Sequence, residues 1–359
     1  MKVCILGDSL ISLTVAKTLV NEGIFVDLIY DHNTKIINKT RTIGITKTNI
    51  DFFNKNILDI SKLSWEIDSI EIFLEKFKKK RILNFDNNKE YLLSIIKNHK
   101  LYEMLNNCLK KEKFFERKKS LPNNFLNNNS YQIIINCDHK SSLTKKFFYK
   151  KIDKNYESKA YVTMIKHKKI NQNNIAYQIF TDLGPIAFLP VSDVETSIVY
   201  SIKKNIKRFK KIEIVDLIKK YNPKYSIVKI ENIENFHLIS SNLRSYYHKN
   251  ILAFGDLLHR IHPLAGQGFN MSIRDIKQLL EIIKNRTSLG LDIDSSVCLD
   301  FERKLKHKNY LFSSGIDFIY EFFNLESGMK NNKLGRVIEF FGKNKSLKNF
   351  VTKFANDGF

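Results

Sequence analysis

Apolar residues along the chain form two recurring patterns: short, mainly apolar runs, and longer stretches in which they return every three or four positions. The short runs are typical of buried strands, and each ends within two residues of a glycine or an aspartate. They lie at residues 3–6, 25–30, 131–136 and 251–254. The helical spacing is found at residues 10–19, 91–109, 276–283 and 301–325. This alternation of strand and helix predicts an α/β protein, and the alternating pattern at residues 147–245 predicts a second sheet.

Length and charge limit the classes of function. A chain of 359 residues has room for about two domains. Its 60 basic and 37 acidic residues give a formal charge of +23, which suggests an anionic partner such as nucleic acid or a membrane surface. The basic residues are scattered in short runs such as Lys78-Lys79-Lys80-Arg81, however, and this favours a solvated surface over nucleic-acid binding. Weak attraction to an anionic membrane stays open as an alternative.

Cysteine spacing and hydropathy indicate where the protein works. The four cysteines lie far apart, at positions 4, 108, 137 and 298, which fits a reduced setting. No apolar run reaches the roughly 20 residues that span a bilayer, and Met1-Lys2 leads directly into a strand rather than a signal peptide. His259 and His262 lack further ligands at useful spacing, so we expect no metal site. We expect a cytoplasmic protein, either soluble or peripheral on the inner membrane.

The most informative segment follows the apolar run at 251–254 and leads into the helical pattern that begins at 276. Gly266-Gln267-Gly268 lies where a loop becomes a helix, and the N–H groups and positive dipole end of a helix N-terminus attract polar or anionic ligand atoms. Asp256, directly after the strand, is placed to accept hydrogen bonds from ligand hydroxyls, and Pro263 stiffens the loop between them. A simpler alternative is that the glycines serve only the turn geometry.

A second candidate segment joins the first strand to the first helix. Residues 7–12 read Gly-Asp-Ser-Leu-Ile-Ser, at the place of the Gly-x-Gly-x-x-Gly fingerprint of dinucleotide-binding units. Ser9 and Ser12 replace the second and third glycines, and a serine hydroxyl can still donate to a phosphate. Asp31, at the end of the second strand, has the spacing of an acid that binds the adenosine ribose. Taken alone, this segment favours a dinucleotide no more than a plain strand–turn–helix unit.

The complete pattern around the Gly-Gln-Gly segment resembles a family motif. Gly-Asp at 255–256, Pro263, Gly-Gln-Gly-Phe-Asn at 266–270 and Arg-Asp at 274–275 resemble the second flavin-binding motif of the class A flavoprotein monooxygenases, and more narrowly that of their ubiquinone-biosynthesis hydroxylase branch. In that family the acid at the position of Asp256 holds the ribityl chain of FAD, and the Pro to Gly-Gln-Gly segment lies along the isoalloxazine. The resemblance makes residues 7–12 and Asp31 the adenylate end of the same FAD site.

Two further positions match the family. Arg41 resembles an arginine that contacts the flavin side of FAD; the alternative is a surface arginine in a polar loop. Asp138 resembles the acid of an Asp-Gly motif that serves both FAD and NAD(P)H, or it is a plain strand-end aspartate. His139 stands where the family has glycine, and a positive φ would strain it. The residues that the resemblance assigns to FAD are Gly7, Ser9, Ser12, Asp31, Arg41, Asp138, Asp256, Pro263, Gly266, Gln267, Gly268, Phe269 and Asn270.

The resemblance also implies an architecture. We expect an α/β (α+β composite) fold: a Rossmann-like FAD-binding domain with three layers (ββα), an inserted antiparallel-sheet substrate domain, and C-terminal helices. The expected boundaries are residues 1–54, 91–146 and 251–290 for the FAD-binding domain, 55–90 and 147–250 for the substrate domain, and 291–359 for the helical region. Residues 184–190 are similar to the branch sequence beside the substrate cavity. The apolar stripe of residues 310–323 is typical of core, or alternatively of a membrane- or partner-facing surface.

The activity implied by the resemblance is hydroxylation of the aromatic ring of a polyprenylated phenol in ubiquinone biosynthesis. In the family NAD(P)H reduces FAD, O₂ then gives a C4a-hydroperoxyflavin, and the ring attacks its distal oxygen. The cofactor carries this chemistry, so we assign no catalytic acid or base. The expected partners are the polyprenylated substrate, O₂, a membrane surface and other ubiquinone-biosynthesis proteins.

Two alternatives to this activity stay open. One is another flavin oxidoreductase of the same fold, such as a prenyl-chain reductase, although residues 184–190 argue against it. The other is an accessory protein, flavin-binding or flavin-free, that stabilises a biosynthetic complex. Ser9, Ser12 and His139 favour the accessory role, because they stand where the family has glycine.

Overall fold

The computed structural model describes residues 1–30, 39–75, 81–86, 90–119, 130–203, 211–263 and 266–328. Within these ranges the strands form three sheets. In chain order the strands are β1 (Lys2–Leu6), β2 (Phe25–Ile29), β3 (Thr42–Thr46), β4 (Trp65–Ile67), β5 (Ser69–Leu74), β6 (Arg81–Asp86), β7 (Leu93–Lys97), β8 (Phe115–Lys118), β9 (Ile133–Asn136), β10 (Lys151–His167), β11 (Ile175–Thr181), β12 (Gly184–Pro190), β13 (Glu195–Lys203), β14 (Ile227–Ile230), β15 (Glu234–Leu243), β16 (Tyr247–His248), β17 (Ile251–Ala253) and β18 (His259–Arg260). The helices are α1 (Leu10–Asn21), α2 (Lys47–Asn56), α3 (Asn98–Leu109), α4 (Ser142–Phe147), α5 (Lys211–Tyr221), α6 (Gln267–Ser288) and α7 (Ser295–Gly328).

The first sheet has the strand order β16-β17-β9-β1-β2-β8, and its neighbours from β17 to β8 run parallel. All three side chains of β17 and all four of β9 are buried, as expected of a parallel sheet that helices cover. The helices α1, α3, α6 and α7 contribute side chains to the same core. Because the strands are parallel, the carboxyl ends of β1, β9 and β17 lie side by side at one edge.

A small antiparallel sheet of β3, β7 and β4 corrects one expectation from the apolar spacing. The segment 91–109, which the pattern predicts to be one helix, consists of β7 followed by α3. Ile95 of β7 is paired with Gly44 of β3 on one side and with Trp65 of β4 on the other. This pairing with distant strands outweighs the helical spacing, which β-branched residues at 95 and 96 support only weakly.

The third sheet is mainly antiparallel, in the order β18-β15-β10-β13-β12-β11-β5-β6 with β14 beside β10. One of its faces packs on α5, where Ile214 and Ile218 join Ile198 and Tyr200 in a second apolar core. The opposite face meets the small sheet. There Thr42 Oγ1 donates a hydrogen bond of 2.8 Å to Ser197 Oγ, and Lys97 Nζ lies 2.6 Å from Glu195 Oε2.

The long helix α7 includes the helix predicted near 301–325, and its sides differ in exposure. Phe301, Phe312 and Ile316 are buried against the rest of the protein. Tyr310, Leu311 and Phe318 are about half exposed or more, at 49%, 50% and 68%, so part of the predicted apolar stripe faces outward. Of the helices in the described ranges, none combines the length and apolar character that crossing a bilayer needs.

The predicted fold class, a composite of a parallel α/β unit and an antiparallel sheet with a long C-terminal helix, is confirmed. Strands β5 and β6 join the large sheet, whereas β4 joins the small sheet beside β7. The residue boundaries expected for the two domains stay a prediction.

Candidate functional site

The carboxyl ends of β1, β9 and β17 bring three of the predicted residues to one edge. A Cβ atom on Gly7, whose φ is +103°, would lie 3.3 Å from both the Cβ and the N atom of Asp138. A Cβ atom on Gly255, at φ +64°, would lie 3.0 Å from Cγ2 of Ile11. Both positions therefore combine a left-handed conformation with a close approach between turns, and both favour glycine. Asp256 follows Gly255 and is exposed, so its carboxylate is open to a ligand.

Asp138 lies in a turn that its neighbours stabilise. Its Oδ1 accepts a hydrogen bond of 2.8 Å from the N–H of Lys140, and its own N–H donates to Oδ1 of the buried Asn136 at 3.1 Å. His139 is not one of the described residues with positive φ, so its replacement of glycine causes no strain of that kind. Burial raises the pKa of the adjacent Cys137 thiol to about 12, and the carboxylates of Asp256 and Asp138 act in the same direction. That thiol therefore stays protonated near neutral pH.

The two serines that replace fingerprint glycines cap α1. Ser9 Oγ accepts a hydrogen bond of 3.1 Å from the N–H of Ser12, and Ser12 Oγ accepts one of 3.3 Å from the N–H of Ser9. The two hydroxyl oxygens are also 2.8 Å apart. This reciprocal arrangement is a capping box, which satisfies N–H groups that a helix start otherwise leaves free. The serines thus have a structural role that the sequence comparison with the glycine fingerprint did not anticipate.

An ionic cluster that sequence reasoning missed adjoins this turn. Asp8, between Gly7 and Ser9, is paired with Arg117 of β8, and its Oδ1 accepts a hydrogen bond of 2.8 Å from Tyr102 Oη. The guanidinium of Arg117 also lies 5.0 Å from the ring centroid of Tyr30, at the end of β2. A residue 109 positions away supplies the partner, so local sequence carries no signal for it. Asp31, predicted to bind the ribose, lies outside the described residues.

The start of α6 has the features expected of a surface that receives a flat ligand. Gly266 is the N-cap at φ +66°, and a Cβ there would lie 3.3 Å from the N atom of Gly44. Among the described residues, nothing lies within 4 Å of the place where a Cβ of Gly268 would be. Gln267 is only 3% exposed, yet its Oε1 has no hydrogen-bond partner among the described residues. A buried acceptor without a partner is costly, and a ligand donor would satisfy it.

Another residue of the predicted motif, Asn270, connects this helix start to neighbouring elements through hydrogen bonds. Asn270 Oδ1 accepts hydrogen bonds of 2.9 Å from the N–H of Thr46 and from Asn49 Nδ2, and its Nδ2 donates to the carbonyl of Gly44 at 2.9 Å. Both the oxygen and the nitrogen of the Asn270 amide are therefore bonded within the protein, and these hydrogen bonds connect α6 to β3. Phe269 is partly buried against the main core, and the carbonyl of Pro263 accepts a hydrogen bond of 3.3 Å from the N–H of Gly266.

The two histidines of the motif have different environments. His259 is bonded through Nε2 to the buried carboxylate of Asp275, whose other oxygen accepts a hydrogen bond of 2.9 Å from Asn309 Nδ2 of α7. His262 stacks on Tyr320 with ring centroids 4.0 Å apart, and Tyr156 meets it edge-on at 4.9 Å. Burial lowers the pKa of His262 to about 3, so its imidazole is neutral. His259 is thus connected through Asp275 to both α6 and α7.

Arg41 is exposed at the start of β3, with its guanidinium 6.0 Å from the ring centroid of Phe236 on β15. It therefore faces the large sheet.

On the large sheet the register aligns Gln178, Ala187, Val199 and Val162 in one row across four strands. Val199 is two residues from Ser197, which contacts Thr42, so the row lies on the face turned toward the small sheet. Three side chains of this row, those of Ala187, Val199 and Val162, are small and apolar.

Comparison with known proteins shows a matching domain model and similar folds. Residues 134–287 match the family model described as an FAD binding domain. The fold resembles that of Klebsiella pneumoniae HpxO, solved in complex with FAD and uric acid, with a TM-score of 0.76, 10% identity, and coverage of 100% of this chain and 97% of that one. It resembles Pseudomonas putida p-nitrophenol 4-monooxygenase PnpA with a TM-score of 0.75, 11% identity, and coverage of 99% and 98%. Residues 134–287 thus match an FAD binding domain, the fold is that of solved proteins such as HpxO and PnpA, and the resemblance predicted from the sequence is confirmed.

Among the curated relatives, two carry names that refer to ubiquinone biosynthesis or to hydroxylation of a ubiquinol. The chain is 23% identical over 273 residues to the ubiquinone biosynthesis monooxygenase COQ6 of Schizosaccharomyces pombe, covering 63% of this chain and 57% of that protein. It is 31% identical over 162 residues to the 3-demethoxyubiquinol 3-hydroxylase of Escherichia coli, covering 44% and 40%. The chain thus spans about half the length of the curated relatives that it matches.

The described residues fit FAD better at one end than at the other. Gln267 Oε1 and the open side of Gly268 suit the polar edge and the plane of an isoalloxazine, and the exposed Asp256 suits the ribityl hydroxyls. At the adenylate end the capping box and Asp8 surround the turn where a pyrophosphate is expected. That end is the part in which this chain departs from the glycine fingerprint.

Proposed function

We propose that this chain hydroxylates the aromatic ring of a polyprenylated phenol in ubiquinone biosynthesis, with FAD as cofactor, NAD(P)H as reductant and O₂ as co-substrate. The names of the S. pombe and E. coli relatives support the pathway and the reaction type. The observation that carries the proposal is the first turn of α6, where Gly268 borders open space and the buried Gln267 oxygen has no partner among the described residues. A flat cofactor ring against a helix start accounts for both features.

The cofactor, when bound, supplies the electron transfer and oxygen activation, and the chain positions it. Asp256 would accept hydrogen bonds from the ribityl hydroxyls, because it is exposed directly after β17. The N–H groups and the positive dipole end at the start of α6 would stabilise negative charge on the flavin ring. Asn270 holds this helix start on β3, so the donors keep their direction. No side chain is assigned a role as acid or base.

The large sheet supports an apolar ring as substrate. Its face toward the small sheet carries Val162, Ala187 and Val199 in one row, and Ala160 and Ser201 are paired next to that row. Small side chains leave room for a ring, and apolar ones exclude water from the reacting atoms. Gln178 at the end of the row carries an amide that suits a phenol hydroxyl.

The first experiment is the visible spectrum of the purified full chain, followed by anaerobic addition of NADH and of NADPH. We expect a bound-flavin spectrum that bleaches with one of the nucleotides, and, with O₂ and a short-chain prenylated phenol, a product heavier by one oxygen atom. Well-folded protein that stays colourless after incubation with excess FAD would refute the proposal. Flavin that binds but is not reduced would remove NAD(P)H as the direct reductant.

A single substitution tests the flavin surface of α6. Gly268→Val should leave the fold intact, because no described residue occupies the space beside Gly268, yet it should weaken FAD binding at least tenfold by filling that space. Lys277→Val, on the exposed side of the same helix, is the matched control for the helix propensity of valine. Flavin fluorescence titration gives the affinities. Equal affinity in the two variants would show that the flavin does not pack at Gly268.

One observation favours a non-catalytic accessory role: the capping box and Asp8 surround the turn at which the pyrophosphate of FAD is expected. A hydroxylase-deficient strain distinguishes the two functions. Under the monooxygenase proposal, Asp256→Ala should abolish complementation while the protein remains folded. An accessory protein should still complement with this substitution.

We also propose that the protein reaches its substrate as a peripheral protein at an anionic inner-membrane surface. The formal charge of +23 and the exposed Tyr310, Leu311 and Phe318 of α7 support this, since basic and aromatic side chains favour such surfaces. Co-sedimentation with anionic vesicles should fall as salt rises. Equal binding to neutral vesicles, or none to either, would contradict it.

A further inference from the structure

The turn between β1 and α1 contains an acidic residue in an unfavourable place for a dinucleotide site. In βαβ dinucleotide-binding units the pyrophosphate lies at the N-terminus of the first helix, next to this turn. Asp8 stands in the turn, between Gly7 and the N-cap Ser9, and only 7% of its side chain is exposed. A carboxylate so near two phosphates repels them, and its low exposure leaves little water to screen the repulsion.

Arg117 neutralises this carboxylate. It reaches Asp8 from β8, two strands away in the sheet order, and so passes the carboxyl end of β2. Its Nη1 donates a hydrogen bond of 3.0 Å to Asn106 Oδ1 on α3, and the Tyr30 ring lies 5.0 Å from its guanidinium. Tyr102 Oη donates to the same Asp8 oxygen at 2.8 Å. The position of the cation is therefore set by groups from α3 and β2 as well as by Asp8.

We propose that Arg117 is a positioning residue for FAD: by cancelling the charge of Asp8, it makes the β1–α1 turn compatible with the pyrophosphate. This inference rests on the proposed FAD-dependent function. This chain departs from the glycine fingerprint around the turn that contains Asp8. The inference links that departure to Arg117, a basic residue on a distant strand that pairs with Asp8. FAD affinity should depend on Arg117 only while Asp8 is charged.

The test is a double-mutant cycle in which FAD affinity of the apoprotein is measured by flavin fluorescence. Arg117→Gln should weaken FAD binding roughly ten- to hundredfold, because it exposes the phosphates to an uncompensated carboxylate. Asp8→Asn, which keeps an oxygen for Tyr102, should bind FAD several-fold more tightly than the wild type and with a steeper salt dependence. The double variant should return close to the wild-type affinity.

Two measurements separate this role from a purely structural one. Thermal unfolding of each variant fixes a titration temperature at which all are folded. The control Arg81→Gln removes the same charge from the exposed Arg81–Glu71 pair on β6 and β5, and it should leave FAD affinity unchanged. A merely structural pair would make Asp8→Asn no tighter than the wild type.

The outcomes also distinguish this inference from the proposed function. Wild-type protein that binds no FAD refutes the proposed function. If the wild type binds FAD and Arg117→Gln binds it equally well, the inference fails while the proposed function stands. A double variant as weak as Arg117→Gln would also overturn charge compensation, because Arg117 would then act on FAD without Asp8.

Discussion

Asn270 joins two elements through one side-chain amide. Its oxygen accepts from Thr46 and Asn49, and its nitrogen donates to the carbonyl of Gly44, each at 2.9 Å. Asn270 is 1% exposed, so these groups are out of reach of water. The residue lies two positions after Gly268, and its hydrogen bonds therefore set where the Gly-Gln-Gly segment meets β3. The sequence predicts Asn270 as part of an FAD site, and the structure gives it a supporting position in the candidate site.

Replacing Asn270 with alanine should therefore affect both stability and cofactor affinity. Asn270→Ala leaves the buried N–H of Thr46 and carbonyl of Gly44 without partners, which we expect to cost about 2–4 kcal/mol of unfolding free energy. Urea unfolding measures this loss, and FAD titration should show weaker binding. The control is Gln278→Ala on a more exposed part of α6, which should change stability by less than about 0.5 kcal/mol. Equal stability of the two variants would contradict the anchoring role.

At the scale of elements, α6 is held at a second point by a buried hydrogen-bond network. Asp275, one of the residues of the family-like Arg-Asp pair, has no exposed side-chain surface. One of its oxygens bonds His259 of β18, the short strand before the loop that leads to the candidate flavin site, and the other accepts from Asn309 of α7. The network thus ties the loop, α6 and α7 together, and it sets the direction of the loop before Pro263.

Breaking this network from one side should be strongly destabilising. His259→Leu leaves the Asp275 carboxylate buried with one partner fewer, and we expect a loss of about 3–5 kcal/mol. Adding Asp275→Asn should recover part of that loss, because the amide carries no charge. Chemical denaturation of the two single variants and the double variant measures the coupling. Additive losses would contradict the network, since independent residues do not recover each other's loss.

At the scale of the whole molecule, His262 lies where the candidate flavin loop, the large sheet and α7 meet. Its ring stacks on Tyr320 of α7 and meets the edge of Tyr156 on β10. Tyr156 in turn bonds Asp317 of α7, whose pKa burial raises. Neither ring nitrogen of His262 has a hydrogen-bond partner among the described residues. A protonated imidazole at this junction would be a buried charge, which explains why burial lowers its pKa to about 3.

This pKa predicts how stability depends on pH. The unfolded chain takes up a proton at His262 below its ordinary pKa near 6.5, whereas the folded chain does so only near 3. The stabilising contribution is therefore complete above pH 6.5 and is lost as the pH falls from 6.5 toward 3. At about 1.4 kcal/mol per pKa unit, the wild type should lose about 2–3 kcal/mol between pH 6.5 and 4.5 through this group.

The variant His262→Phe should lack this part of the pH dependence while it keeps the stacking. Urea unfolding at pH 6.5 and at pH 4.5 gives the difference. His307→Phe, at an exposed position of α7, serves as the control. The same loss of stability in His262→Phe as in the wild type would contradict a buried neutral imidazole.

Local patterns were sufficient for much of the fold. The runs predicted at 3–6, 131–136 and 251–254 contain β1, β9 and β17 of the parallel sheet, and the glycine-rich segment at 266–268 does begin a helix. Burial of both sheet faces and helix-start chemistry leave a signal within a few residues. The prediction of a single helix at 91–109 was wrong in part, because β7 within that segment pairs with two distant strands, β3 and β4.

Some features of the candidate site could likewise be predicted from local sequence, and others could not. Sequence by itself determined the strand–turn–helix units, the positions of Gly7, Asp256 and Gly266, and the family resemblance, because these depend on backbone conformation and spacing within short segments. Only the tertiary structure decided that Asp8 is matched by Arg117 and that Asn270 bonds β3. Those contacts join residues 109 and 224 positions apart. They follow from the order of strands in the sheets, which brings distant side chains together and which no local pattern encodes.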